Sequence, residues 1–232
     1  MIGGFYRSRI VDGVSKAAGT TPQLTSLIGA TAVSTVLLLH MDGTNGSTTF
    51  TDVCGKVTQA YANAQISTTQ SKFGGSSGYF DGSGDYVLCQ SFPMLGDFTI
   101  EFFGRLENVS GGHSFVAQPK AYQMQFFIRT ENGVLSFGPG WPTSYTLSIS
   151  TWYHIAVTKA SGLIRCFVDG VQRGSTANDG AYGYVYDGSS LVLGRDWDGS
   201  YSLNGYIDEL RVSNFARYTS VFTAPTAPFI LD

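Results

Sequence analysis

The chain has 232 residues, a formal net charge of −3 and 13% charged residues, about half the usual share of charge. That length suits one large β domain with a full core, and the charge leaves no footprint for nucleic acid or anionic membrane. Aromatic residues at 14% and 29 glycines fit many tight turns between aromatic and β-branched strands. Residues 1–33 lack periodicity and carry Gly, Thr, Ser and Pro22, the composition of an arm, with room for a helical turn or two between Val11 and Ala18. The most apolar run, Leu27 to Leu39, spans 13 residues, short of the roughly 20 that cross a membrane. A secretory leader fits the composition, but a retained Met1 sets the expectation of an arm docked on a partner or a neighbouring subunit.

From Thr35 the pattern becomes that of strands. Val36 to Met41 is an apolar run ended by Asp42-Gly43, and further runs follow at Gly78–Phe80, Tyr86–Cys89, Phe98–Leu106 and Met124–Arg129. Others lie at Trp152–Lys159, Leu163–Val168, Leu191–Arg195 and Gly205–Val212. Many short strands without a helical stripe indicate a β-sandwich or barrel. Asp169-Gly170 between two runs signals a type I′ hairpin, which needs positive φ at both central residues. In the last run Tyr206, Asp208, Leu210 and Val212 alternate with Ile207, Glu209 and Arg211, predicting two unlike faces. The tail carries Pro225 and Pro228, which exclude a central strand, so it is expected to pack over the sandwich through Phe222 and Phe229. Cys54, Cys89 and Cys166 are odd in number and lack C-x-x-C spacing, so small buried thiols are expected rather than disulfides or zinc.

In order along the chain, Leu37-Leu38-Leu39-His40-Met41-Asp42-Gly43, Lys72 to Gly82, Asp85-Tyr86, Asp97 to Phe102, Trp152 to Thr158, Leu191 to Gly194 and Leu203 to Ser213 resemble the laminin-G-like jelly rolls. These form a branch of the concanavalin A-like lectin/glucanase superfamily. The resemblance implies an all-β, two-sheet antiparallel sandwich over residues 34–232, preceded by an irregular N-terminal arm over 1–33. Such modules recur in tailed-bacteriophage virion proteins and in secreted bacterial adhesins. It therefore implies a non-enzymatic virion protein, decorating the capsid or associated with the tail or fibre, made in the bacterial host cytoplasm. Residues 1–33 are expected to anchor it to other virion proteins, and a symmetric homo-oligomer is expected. The alternative is a lectin or adhesin module recognising a bacterial surface polysaccharide.

Superfamily members that cleave glucans carry an E-x-D-x-E triplet on one strand face, and none of Glu101, Glu107, Glu131 and Glu209 belongs to one. No catalytic residue is therefore nominated. Glu101 reads as a solvent-facing strand carboxylate, Glu209 as an ordinary strand acid and His154 as a hydrogen-bonded strand histidine, while His40 and His113 have no triad partners. By resemblance, one structural Ca²⁺ would sit where first and last strands meet, on Asp42 and Asp208. The competing reading makes Asp42 a turn cap and Asp208 an acceptor for backbone amides. A second acidic pair, Asp196 and Asp198, reads as turn chemistry. Glycan binding asks for aromatic platforms beside polar groups, for which Trp141, and Trp197 with Tyr201 and Asp198, are the loop candidates, together with Tyr182, Tyr184 and Tyr186 near Asp179 and Asp187. Each has packing or a subunit contact as its alternative role.

Overall fold

A computed structural model describes residues 34–90, 96–120, 123–179, 190–196 and 198–232. The first half of these residues forms β1 (Thr35–Leu39), β2 (Thr58–Tyr61), β3 (Gln65–Ser67), β4 (Ser77–Asp81), β5 (Tyr86–Cys89), β6 (Phe98–Leu106) and β7 (Gly112–Lys120). There follow β8 (Gln123–Glu131), β9 (Val134–Phe137), β10 (Trp141–Thr146), β11 (Tyr153–Ala160), β12 (Leu163–Val168), β13 (Val171–Asn178), β14 (Leu191–Leu193) and β15 (Asn204–Ser213). One sheet of eight strands runs β13-β12-β11-β6-β15-β4-β3, with β1 also paired to β15. The facing sheet of seven runs β10-β9-β8-β7-β14-β5-β2. All pairings between these strands are antiparallel, as the jelly-roll expectation required.

The core forms between the sheets because alternate residues of each strand point inward. Phe98, Ile100 and Phe102 of β6 and Ile155 and Val157 of β11 are all at most 1% exposed and meet Phe126, Ile128 and Phe137 of the other sheet. Phe98 lies edge-on to Phe126 with centroids 5.8 Å apart, an arrangement that aromatic pairs favour. The predicted hairpin is present: Asp169 and Gly170 have φ of 50° and 79° between the paired residues Val168 and Val171. Both sulfurs of Cys89 and Cys166 are buried, and Cys54 is half-buried; all three are free thiols.

The last strand departs from strict alternation. Ile207, Leu210 and Val212 face the core, so the predicted set of Tyr206, Asp208, Leu210 and Val212 does not share a face. A bulge between Asp208 and Arg211 explains the change of phase. Glu209 sits there at a φ of 52°, and one extra residue shifts every later side chain to the other side.

Residues 214–232 form a strap over the outer face of the eight-stranded sheet. Thr99 Oγ1 donates to the Phe215 carbonyl at 2.9 Å, Thr158 Oγ1 to that of Tyr218 at 2.8 Å, and the Phe222 amide to Gly170 at 3.0 Å. Tyr218 stacks on Phe222 at 3.6 Å, and Phe229 is buried against Leu38 and Phe103. The tail thus packs through its aromatics, as its composition predicts.

The strap overturns the reading of Glu101 as solvent-facing. Its carboxylate is fully buried and takes Arg211 Nη2 at 2.8 Å and Nε at 2.9 Å, Tyr218 OH at 2.9 Å and His154 Nε2 at 3.1 Å. Burial pushes its pKa up, but the His154 hydrogen bond and the Arg211 charge outweigh this and hold it below the ordinary value. Glu209 is likewise buried, with Oε1 2.9 Å from His40 Nδ1 and Oε2 accepting the Phe229 amide at 2.8 Å. Glu101 points outward from the sheet, as period-2 reasoning requires, and the bulge turns Glu209 outward as well; each meets a group that arrives from the tail, Tyr218 OH for Glu101 and the Phe229 amide for Glu209.

Candidate functional site: a polar pocket at the loop end

At one end of the sandwich three connections converge on a pocket of about 350 Å³. The β4–β5 loop supplies Gly82 and Ser83, the β6–β7 loop Asn108 and Ser110, and the β14–β15 loop Gly199, Ser200 and Ser202. Asp81, Gly112, His113 and Asn204 close it from the strand ends. Paired strands place Asn204 directly opposite Asp81.

Side-chain acceptors shape each loop. Asp81 Oδ1 takes the Ser83 amide at 2.7 Å, Asn108 Oδ1 the Ser110 amide at 2.8 Å, and Asp198 Oδ1 the Ser200 amide and hydroxyl at 3.0 and 2.7 Å. These are two-residue Asx turns, which Asp and Asn form because their short side chains mimic a backbone carbonyl. Asp85, 1% exposed, anchors the first loop by accepting the amides of Asp81 at 2.8 Å and Asn63 at 2.7 Å. Burial raises its pKa against the opposing pull of those amides.

His113, at 5% exposure, stands in the pocket wall. Its Nδ1 lies 3.0 Å from the Ser202 carbonyl and 3.3 Å from the Asn204 amide, tying β7 to the start of β15. Its Nε2 is buried and has no partner among the described residues.

Among the described residues no lysine or arginine lines the pocket, and Asp81 is the only charged one that does. Neighbouring cations are engaged elsewhere. Arg129 Nη1 is 2.8 Å from Asp196 Oδ2, and its guanidinium lies over Phe127 at 4.0 Å and Tyr201 at 4.2 Å. Arg195 stacks on Tyr86 at 3.8 Å. Hydrogen bonds from Ser200 lower the pKa of the exposed Asp198.

The structure brings two predicted glycan residues to this place. Asp198 holds the Ser200 turn in one wall, and Tyr201 packs so closely on Gly112 that a Cβ there would fall 1.7 Å from its ring. Trp141 is elsewhere, on β10, its ring 5.4 Å from Phe137. Trp197 and the cluster Tyr182, Tyr184, Tyr186 and Asp187 lie outside the described residues, as does the arm 1–33. Asp81, Asn108, His113 and Asn204 escape sequence reasoning because each reads as ordinary turn or strand-end chemistry.

The proposed calcium pair occupies a separate region beside residues 72–74. Asp208 is fully buried; its Oδ2 accepts the Lys72 amide at 2.6 Å and the Phe73 amide at 3.1 Å. Burial raises its pKa to about 7; the two amides pull it down, and the charges of Glu209 and Asp42 add to the rise. Asp42 presses against Gly74, whose φ is +61° and whose Cβ, were one present, would lie 1.9 Å from Asp42 Oδ1. Asp208 Oδ1 is buried without a partner. Two neighbouring carboxylates and an orphaned oxygen fit a hard cation, although no group of three or more His, Cys, Asp or Glu among the described residues forms a metal cluster. Backbone carbonyls and water would have to complete the shell.

A two-sheet antiparallel jelly roll with a polar pocket at its loop end defines a lectin-like domain. The family model for the concanavalin A-like lectin/glucanases superfamily, Laminin_G_3, matches residues 81–220, and the chain belongs to this family. No curated protein matches it. Among solved structures it is similar to domain 4 of an extracellular arabinanase from Geobacillus stearothermophilus in complex with arabinotriose, at a TM-score of 0.61 and 17% identity, covering 79% of this chain and 94% of that one. It is also similar to the binding domain of Paraclostridial Mosquitocidal Protein 1, at 0.61 and 16%, covering 80% and 50%. A third likeness is the binding domain of Botulinum Neurotoxin DC in complex with SialylT, at 0.59 and 14%, covering 80% and 49%. This chain therefore spans about half the length of the two toxin binding domains. At these identities the likeness establishes the fold alone.

Proposed function

We propose that the chain is a non-enzymatic carbohydrate-binding module that recognises a surface polysaccharide and is carried on a bacteriophage virion, as a capsid decoration or a tail- or fibre-associated protein, by residues 1–33. The pocket is the observation that carries the binding part. Its volume of about 350 Å³ lies at the small end of ligand sites, which run from about 300 to 1,000 Å³, and suits a terminal sugar. Hydroxyls of Ser83, Ser110, Ser200 and Ser202 and the amides of Asn108 and Asn204 supply donors and acceptors for sugar hydroxyls. The glycan complexes of similar folds, with arabinotriose and with SialylT, support the same reading.

Glycoside hydrolysis needs two carboxyl groups flanking the scissile bond, and Asp81 is the one carboxylate lining the pocket among the described residues. That supports a binding role. Calorimetry with neutral oligosaccharides tests it: Asn108→Ala and Asn204→Ala should each weaken binding, and unaltered affinity in both would remove the pocket as the site. The virion placement rests on the family resemblance. Deleting residues 1–33 should abolish particle incorporation while the domain still folds, and undiminished incorporation refutes the anchor.

A structural Ca²⁺ on Asp42 and Asp208 belongs to the same proposal. Bound there, it would neutralise carboxylates that now repel one another and use the Asp208 oxygen left without a partner.

A further inference from the structure

We infer that the loop-end pocket selects uncharged sugars and rejects carboxylated ones, with Asp81 as its specificity-determining acceptor; the inference rests on the glycan-binding reading of this pocket. Its lining combines serine hydroxyls and asparagine amides with a single carboxylate and, among the described residues, no lysine or arginine. Asp81 is already oriented: Oδ1 accepts the Ser83 backbone amide at 2.7 Å and Oδ2 the Asn63 side-chain Nδ2 at 3.2 Å. Each carboxylate oxygen keeps a second lone pair. Hydroxyl groups of a neutral sugar satisfy those lone pairs, in charge-assisted bonds stronger than neutral ones.

A sugar carboxylate has nothing to give them. It would approach Asp81 and stand near Asp198, which ends the wall beside Ser200. Neighbouring cations are turned to other groups: Arg129 is held by Asp196 at 2.8 Å between two aromatic rings, Arg105 by Glu107 at 2.7 Å, and Arg195, which passes beside Gly199, stacks its guanidinium on Tyr86 at 3.8 Å. Like charges about 4 Å apart repel enough, even under full water screening, to weaken binding about fivefold, and more where water is excluded.

The test is titration calorimetry at low salt with arabinotriose, lactose and maltotriose against 3′-sialyllactose and digalacturonate. The wild type should bind at least one neutral sugar about tenfold more tightly than either acid, and lactose more tightly than its sialylated form. In Asp81→Asn, which keeps the Oδ1 acceptor for Ser83, the ratio should fall toward one. Equal binding of neutral and acidic sugars, or preference for an acid, overturns the selectivity and leaves the pocket as a glycan site. An unchanged ratio in the variant overturns the role of Asp81. Failure of every sugar to bind removes the glycan reading together with the inference.

Discussion

The outer face of the eight-stranded sheet and the loop-end pocket are both rich in polar groups, yet they use them in opposite ways. Under the strap, Glu101 gathers Arg211, Tyr218 and His154 on one fully buried carboxylate, and Glu209 takes both His40 and the Phe229 amide. Their bonding capacity is spent inside the molecule. At the loop end, Asp81, Asn108 and Asp198 each hold a turn through Oδ1, Asp81 also taking Asn63 Nδ2 on its other oxygen, and keep further capacity toward solvent. The strap's carboxylates are buried and filled by several partners, whereas the groups available to a ligand are fixed by one or two bonds and left open. Substitutions should therefore separate stability from binding.

The largest effect should come from Glu101→Ala, which strands buried Arg211 and His154 without their acceptor. Removing one partner of a buried ion pair typically costs about 3–5 kcal/mol, and denaturant melts should show it with glycan affinity unaltered in the fraction that remains folded. The pH dependence has a definite sign. Because Glu101 is held below its ordinary value of 4.5, its contribution is present above that value and lost as pH falls through the lowered one. Glu101→Gln should flatten the acid limb of the stability profile, and an unchanged limb would show that the hub is not what acid attacks.

That hub marks where legibility in the sequence ends. β6, β11 and β12 are readable because Phe98-Thr-Ile-Glu-Phe, Tyr153 to Lys159 and Leu163 to Val168 carry β-branched and aromatic residues bounded by turns. β7 is missed because His113, Ser114, Gln118 and Pro119 give it no apolar stripe, even though Phe115 and Val116 reach the core. In β15 the bulge at Glu209 leaves no local composition mark. Partners of Glu101 come from Arg211 and Tyr218, more than a hundred positions away, so alternation could assign the carboxylate to the outer face but not reveal that a strap covers it. The pocket is hidden for the same reason. Its walls come from loops near residues 82, 108 and 200, each of which reads alone as turn punctuation.

Phe229→Ala should have the next largest effect. The ring is 4% exposed and closes the strap onto Phe103 and Leu38, and losing a buried phenylalanine costs about 3 kcal/mol or more. Proteolysis after substitution should cut first within residues 214–232. Cleavage elsewhere would mean that the strap is held by its hydrogen bonds rather than by this ring. A smaller shift is expected from calcium. Chelation should lower the melting temperature by about 5 °C or more if the ion is present near a hundred times its dissociation constant, and Asp208→Asn should abolish the response. An identical midpoint with and without chelator would sink the site.

The smallest effect on stability should come from Asn108→Ala, and it sharpens the contrast most. Asn108 is exposed and holds the Ser110 amide at 2.8 Å, a surface interaction whose loss should change stability by less than about 1 kcal/mol. Its amide group nevertheless lines the pocket, so one missing hydrogen bond to a sugar should weaken binding by about two- to tenfold. Calorimetry and melting on the same preparation then give opposite rankings for Asn108→Ala and Glu101→Ala. If Asn108→Ala lowers the melting point as much as Phe229→Ala does, the loop end is structural, and the spare bonding capacity attributed to it is already spent within the fold.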